Sequence, residues 1–183
     1  MMNARLLTAC LLAGSVFTSL AARAGDIEQP YLALDYSIHT YQNANASASD
    51  ANPTAVRVRA GSVISKYLAV EAHAAIGSSD DEGTITTPGG SVAYKISAPI
   101  IYGVFLRPQV KAGPLSLYAL GGYAVTVLEF EQAGGASEDV DDSNFAYGGG
   151  AQIDVDKHWG LSADFVHYAD GLDTISGGAV YRF

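Results

Sequence analysis

Apolar and polar residues alternate in steps of two through most of this chain, in segments of strand length separated by clusters of Gly, Pro, Asn and Asp. No i, i+3, i+4, i+7 stripe is sustained, so the pattern predicts an all-β protein. Eight strands are expected, at 30–41, 54–64, 67–77, 92–107, 115–128, 144–155, 159–168 and 173–183. Each is near or above the roughly 9–11 residues that a tilted membrane strand requires. The connections alternate in length: long at 42–53, short at Ser65-Lys66, long at 78–91, moderate at 108–114, long at 129–143 and short at Asp156-Lys157-His158. Short turns on one side and long loops on the other suit a membrane barrel, and only the short connection at 169–172 departs from that rule. An even strand count puts both termini on the short-turn side.

The last strand carries Ile175, Gly177, Ala179, Tyr181 and Phe183 on one face and Thr174, Ser176, Gly178, Val180 and Arg182 on the other. The first face suits lipid and the second a small polar lumen. At the other end, Arg5 precedes an apolar run over 6–20, followed by Ala22-Arg23-Ala24. This reads as a cleaved secretory signal over 1–24, with the barrel domain over 25–183. The apolar core is too short for a transmembrane helix, which needs about 20 residues, so any membrane insertion is by strands. Leu7-Thr8-Ala9-Cys10 resembles a lipobox, but no apolar core precedes it, and Cys10, the single cysteine, is expected to leave with the signal. Stability then rests on packing and hydrogen bonds rather than on disulfides.

The formal net charge is -9, and loss of Arg5 and Arg23 leaves the mature chain more acidic still. With no polybasic patch, nucleic acid is not an expected partner. A soluble β-sandwich or barrel shares the same alternation. It would carry many Lys and Glu on its polar faces, however, and here those faces are rich in Gly, Ala and Ser. Aromatic residues near strand ends (Tyr31, Tyr41, Tyr67, Tyr94, Trp159, Tyr168, Tyr181 and Phe183) are expected to form interfacial girdles.

Four segments carry a family resemblance: YLAVEAHAAIG at 67–77, SLYALGGYAV at 116–125, FAYGGGAQIDVDKHWGLSADFVHY at 145–168, and the closing ISGGAVYRF with its barrel-end signature Tyr181 and Phe183. Over nearly all of its mature length the chain resembles the eight-stranded outer-membrane β-barrels that include OmpA, OmpX and opacity-type proteins. The resemblance implies an up-and-down antiparallel barrel in a Gram-negative outer membrane, monomeric and without cofactor. It also implies contact with outer-membrane lipid and lipopolysaccharide, and engagement of the C-terminal strand by the barrel assembly machinery. Activity is left open, because the family spans structural anchors, adhesins, host-interaction proteins and narrow channels. With Phe183 ending the barrel, no peptidoglycan-binding domain and no anchoring role are expected.

If the apolar side of each strand faces lipid, the opposite side collects Asp35, Arg57, Arg59, Glu71, Lys95, Arg107, Asp154, Asp164 and Arg182, with His39, His73, Tyr118 and Gln152. Unpaired ions are costly in a narrow interior, so Arg57 and Arg59 are expected to pair with Glu71 or Asp35, and Arg182 with Asp164 or Asp154. A crosslinked lumen is a plug. The alternative is a narrow porin-like path for small solutes, although an ion-selective channel would more naturally show one sign of charge. The outer loops concentrate acid at Asp80, Asp81 and Glu82, and at Glu129, Glu131, Glu138, Asp139, Asp141 and Asp142. These are candidates for weak cation binding, or for contact with lipopolysaccharide through bridging cations, but their spacing is not that of an EF-hand. No metal site is expected from His39, His73 or His158, which are isolated in sequence.

One enzyme reading can be tested directly. Lipid A deacylases, also eight-stranded outer-membrane barrels, carry a His-x-Ser pair on a late strand, and the matching place here reads His167-Tyr168-Ala169. His167 falls on the lipid face, with Asp170 and Asp173 near enough to orient it, but Ala169 cannot serve as a nucleophile. Ser176 alternates to the other face. No catalysis is expected, and function is assigned to the surface loops or to envelope integrity.

Overall fold

The computed structural model describes residues 29–41, 52–79, 81–87, 90–96, 100–132, 137–169 and 172–183, all but a few of them in strands. The expected signal at 1–24 and the connection at 42–51 lie outside these residues. The strands are β1 (Gln29–Tyr41), β2 (Thr54–Ser65), β3 (Leu68–Ser79), β4 (Asp81–Thr87), β5 (Gly90–Ile96), β6 (Ile100–Ala112), β7 (Leu115–Gln132), β8 (Ser137–Asp154), β9 (Trp159–Ala169) and β10 (Leu172–Arg182). Eight of them close an antiparallel barrel in the order β1-β2-β3-β6-β7-β8-β9-β10, with β10 pairing back to β1 from Tyr31↔Arg182 to Tyr41↔Leu172. There is no helix among the described residues.

The wall has the polarity of a membrane protein. Along β1, Tyr31, Ala33, Asp35, Ser37 and His39 are buried, while Leu32, Leu34, Tyr36 and Ile38 are 44–59% exposed. The same alternation places Val56, Val58, Val104, Leu106, Leu117, Leu161, Phe165 and Ile175 outside. An apolar belt of this extent would aggregate in water and is solvated by lipid.

Four departures from the expected strands have local causes. The segment 78–91, expected as a loop, contributes β4 and most of its hairpin with β5, from Asp81↔Ile96 to Thr87↔Gly90. The expected single strand at 92–107 is therefore two, β5 and β6, with β5 outside the barrel wall and joined to β7 through Tyr94↔Gln132, Lys95↔Glu131 and Ile96↔Phe130. The expected loop at 129–143 is largely strand, because β7 and β8 run past the barrel and stay paired to Glu131↔Ser137. In β4 and β5 threonine and alternating Val, Ile and Tyr supply β propensity, and in the distal parts of β7 and β8 acidic residues mask the strand pattern. Similarly, β6 does not stop at Pro108. It continues to Ala112 and turns through Gly113, whose φ of 62° suits the first central position of a two-residue hairpin.

Candidate functional site

The lumen holds three guanidinium groups against three carboxylates, contributed by five strands. From β2, Arg57 donates to Asp35 Oδ2 at 3.1 Å and to both oxygens of Asp164 at 2.9 and 2.7 Å. Two residues on, Arg59 donates to Asp35 at 2.7 and 3.0 Å and to Ser162 Oγ at 2.7 Å, with Glu71 at 3.6 Å. From β6, Arg107 donates to Glu71 Oε1 at 2.9 Å and to Gln152 Oε1 at 2.9 Å, and its guanidinium lies 3.9 Å from the centre of the Tyr118 ring. The period of two delivers every one of these side chains to the same face, and all six charged groups are at most 5% exposed. Such pairs hold because each ion is hydrogen-bonded as well as paired.

Several neutral groups tie the ions together. Tyr31 OH donates to Glu71 at 2.5 Å, Tyr118 OH to Asp164 at 3.2 Å, and Tyr168 OH accepts from Arg57 at 3.1 Å. His73 Nε2 lies 2.8 Å from Glu71, its ring stacked on Phe105 at 4.2 Å. Gly150 makes room for this arrangement, since a Cβ there would sit 2.7 Å from both Tyr118 OH and the Asp164 side chain. Tyr31 and Tyr168, read from the sequence as girdle residues, are thus lumen residues. Their parity matches Asp35 and Asp164, a signal that their position near strand ends obscured.

Apolar side chains lie on either side of the ionic layer. At the turn end Tyr31, Ala33, Ala69 and Val180 pack together, and toward the loop end Ala55, Ala75, Ile101, Leu120, Ala124, Ala146, Val166 and Leu172 form a larger cluster. His39 sits on that side, bonded to Thr174 at 2.7 Å.

The remaining predicted lumen charges lie elsewhere. Asp154 and Arg182 pair at the turn-end rim, where Lys111 Nζ also reaches Asp154 at 2.6 Å. Asp164 pairs with Arg57, not with Arg182. Lys95 belongs to β5, outside the barrel wall, at a register position between Glu82 and Glu131. Of the acidic residues, Asp80 lies outside the described residues, and Asp81 and Glu82 begin β4. Glu138, Asp139, Asp141 and Asp142 lie in β8 opposite Phe130, Glu129, Val127 and Thr126. Among the described residues no group of three or more side chains is arranged to hold a metal.

On the outer face His167 Nδ1 lies 2.7 Å from Asp173 Oδ1, and its ring is 5.1 Å from that of Tyr147. Ser176 faces the lumen, 2.9 Å from Ser37. Asp170 lies outside the described residues. At the turn end Tyr67, Trp159 and Phe183 are 50–66% exposed, and Tyr181 stacks edge-on against Trp159 and Phe183. The β8–β9 turn is held by Asp156, whose Oδ1 accepts from the backbone N–H groups of His158 and Trp159, each at 2.7 Å. Those two bonds, with Trp159 the stronger, hold the Asp156 carboxyl below the usual carboxylate range.

Solved structures share this architecture at low identity. Ail of Yersinia pestis superposes with a TM-score of 0.58 at 18% identity, over 85% of this chain and 98% of that one. It has also been solved in complex with the heparin analogue sucrose octasulfate. Neisserial surface protein A gives 0.59 at 13% identity over 84% and 97%, and OprG of Pseudomonas aeruginosa 0.60 at 11% over 85% and 95%. No curated protein matches the chain. Residues 8–183 match the outer membrane protein beta-barrel domain. The chain belongs to that family, and is an integral outer-membrane β-barrel protein.

Proposed function

We propose that the protein is a non-catalytic surface scaffold of the envelope: a barrel plugged by its own ions, displaying a strand extension outside the membrane. The observation that carries this is the mutual closure of Arg57, Arg59 and Arg107 on Asp35, Glu71 and Asp164, with apolar packing on either side. A solute crossing would have to break buried ion pairs and pass an apolar constriction, each of which opposes conduction. The dyad of His167 and Asp173 faces lipid, but residue 169, where a hydrolase of this type needs its serine, is alanine. Interaction then falls to the extension formed by β4, β5 and the distal parts of β7 and β8. Its sequence is acidic, so it suits basic partners, or lipopolysaccharide bridged by divalent cations. A sulfated polyanion of the kind bound to Ail would be repelled unless cations intervene.

Planar-bilayer recording of the refolded barrel is the test. Silence from a protein that runs heat-modifiably on a gel, with ligand binding lost when 81–96 is replaced by a short turn, supports the reading. Steady single-channel steps that change in Arg57→Ala or Glu71→Ala would replace it with a narrow channel.

A further inference from the structure

The turn-end rim contains a shallow, open surface depression of about 430 Å³ lined by Asp156, Lys157, His158, Trp159 and Tyr181. We infer that it is a binding site for one glycerophospholipid of the periplasmic leaflet, with a headgroup carrying both a phosphate and a primary amine, as an ethanolamine lipid does. Both signs of charge are supplied within two consecutive residues. Asp156 spends Oδ1 on two backbone N–H groups, which leaves Oδ2 to accept from an ammonium. Lys157 is exposed and supplies the cation for the phosphate. His158 Nδ1 meets the carbonyl of Arg182 at 3.1 Å and must donate to it, so Nε2 remains for the headgroup. Below the polar groups, Trp159 and Tyr181 meet at 5.0 Å between ring centres, and His158 stacks on Tyr181 at 5.9 Å. This gives the start of an acyl chain an aromatic wall, and rings of this kind settle at headgroup depth.

The choice of headgroup follows from the balance of charge. A purely anionic lipid would satisfy Lys157 but meet the Asp156 carboxylate, and a choline headgroup has no N–H to donate. The inference rests on the membrane placement of the barrel and not on its proposed surface role.

Trp159 is the only tryptophan, so its fluorescence reports the site directly. The refolded protein is placed in phosphatidylcholine vesicles containing one fixed fraction of brominated ethanolamine, glycerol or choline lipid. The ethanolamine lipid should quench more than the other two, with an excess of about twofold, the size one exposed ion pair supports. Asp156→Asn keeps the two backbone bonds and should move the preference to the glycerol lipid. Lys157→Ala should abolish the excess, while Lys66→Ala, on a different turn, should leave it intact. Equal quenching by all three lipids, or strongest quenching of the native protein by the glycerol lipid, overturns the site. No quenching by any of them removes Trp159 from the membrane altogether, which overturns it in a distinguishable way.

Discussion

Arg57 reaches from β2 to Asp164 on β9, two residues 107 apart in sequence, and grips both carboxylate oxygens at 2.9 and 2.7 Å. Both side chains are 1% exposed, so removing either leaves an ion in a low-dielectric interior. Asp164→Ala is expected to cost about 3 kcal/mol, because Asp35 still holds part of the Arg57 charge. Replacing both residues by apolar ones, Arg57→Met with Asp164→Leu, should cost much less than Asp164→Ala alone. Denaturant titration in lipid vesicles measures both; equal losses would mean that the ion pair is stabilising in its own right.

The lipid face is tested from the opposite direction. Val58 is 46% exposed in the middle of β2, and Ala163 is exposed in the middle of β9. Val58→Arg and Ala163→Arg should each cost about 2–4 kcal/mol, whereas Tyr67→Arg at the turn end should cost about 0–1 kcal/mol. The same titration reads all three, and a loss that does not depend on depth would contradict the assignment of faces.

Steric room inside the barrel gives a third expectation. Gly150→Ala places a methyl against Tyr118 OH and Asp164 and should cost about 1–3 kcal/mol. Gly113→Ala has open space around the new methyl and fails instead through its positive φ, at about 1–2 kcal/mol. If Gly113→Ala is neutral, the turn has a conformation other than the one described.

The rim turn should respond to acid. The folded pKa of Asp156 is lowered, so its bonds to His158 and Trp159 are fully present above the unfolded carboxylate value, about 3.9, and are lost as pH falls through the lower folded value. The carboxylate-linked movement of those two amide shifts should therefore appear only below about pH 4, in His158→Gln as in the native chain. A midpoint at or above the ordinary carboxylate value would exclude the two bonds.

The barrel itself was legible in the sequence, because a period of two shows directly when one face meets lipid. Leu34, Val58 and Phe165 could lie only outside once Asp35, Arg57 and Asp164 lay inside. The extension beyond the membrane was not legible. There Glu129 and Asp139 sit opposite each other in a continuous ladder, and strands that no longer meet lipid lose the apolar face that marks them. The connection expected at 108–114 is another such case, since β6 forgoes one N–H at Pro108 and continues through Lys111, the residue that joins Asp154 at the rim. Within the network the ions were identifiable one by one, but their partners depended on the tilt of strands around a closed wall. Asp164 accordingly meets Arg57 rather than Arg182.

The pairing of β1 with β10 joins the first strand of the barrel to the last, across a seam whose partners lie far apart in sequence. Asp35 lies on one side of that seam and Asp164 on the other, and Gly178 leaves space at the seam for the Asp35 carboxylate. Before the edges meet, Arg57 and Arg59 share Asp35, and Arg59 also lies near Glu71; afterwards Arg57 grips Asp164 from the far edge as well. Closing that seam and completing the Arg57–Asp164 pair are thus coupled, and this buried pair acts as a latch that rewards only the fully closed register.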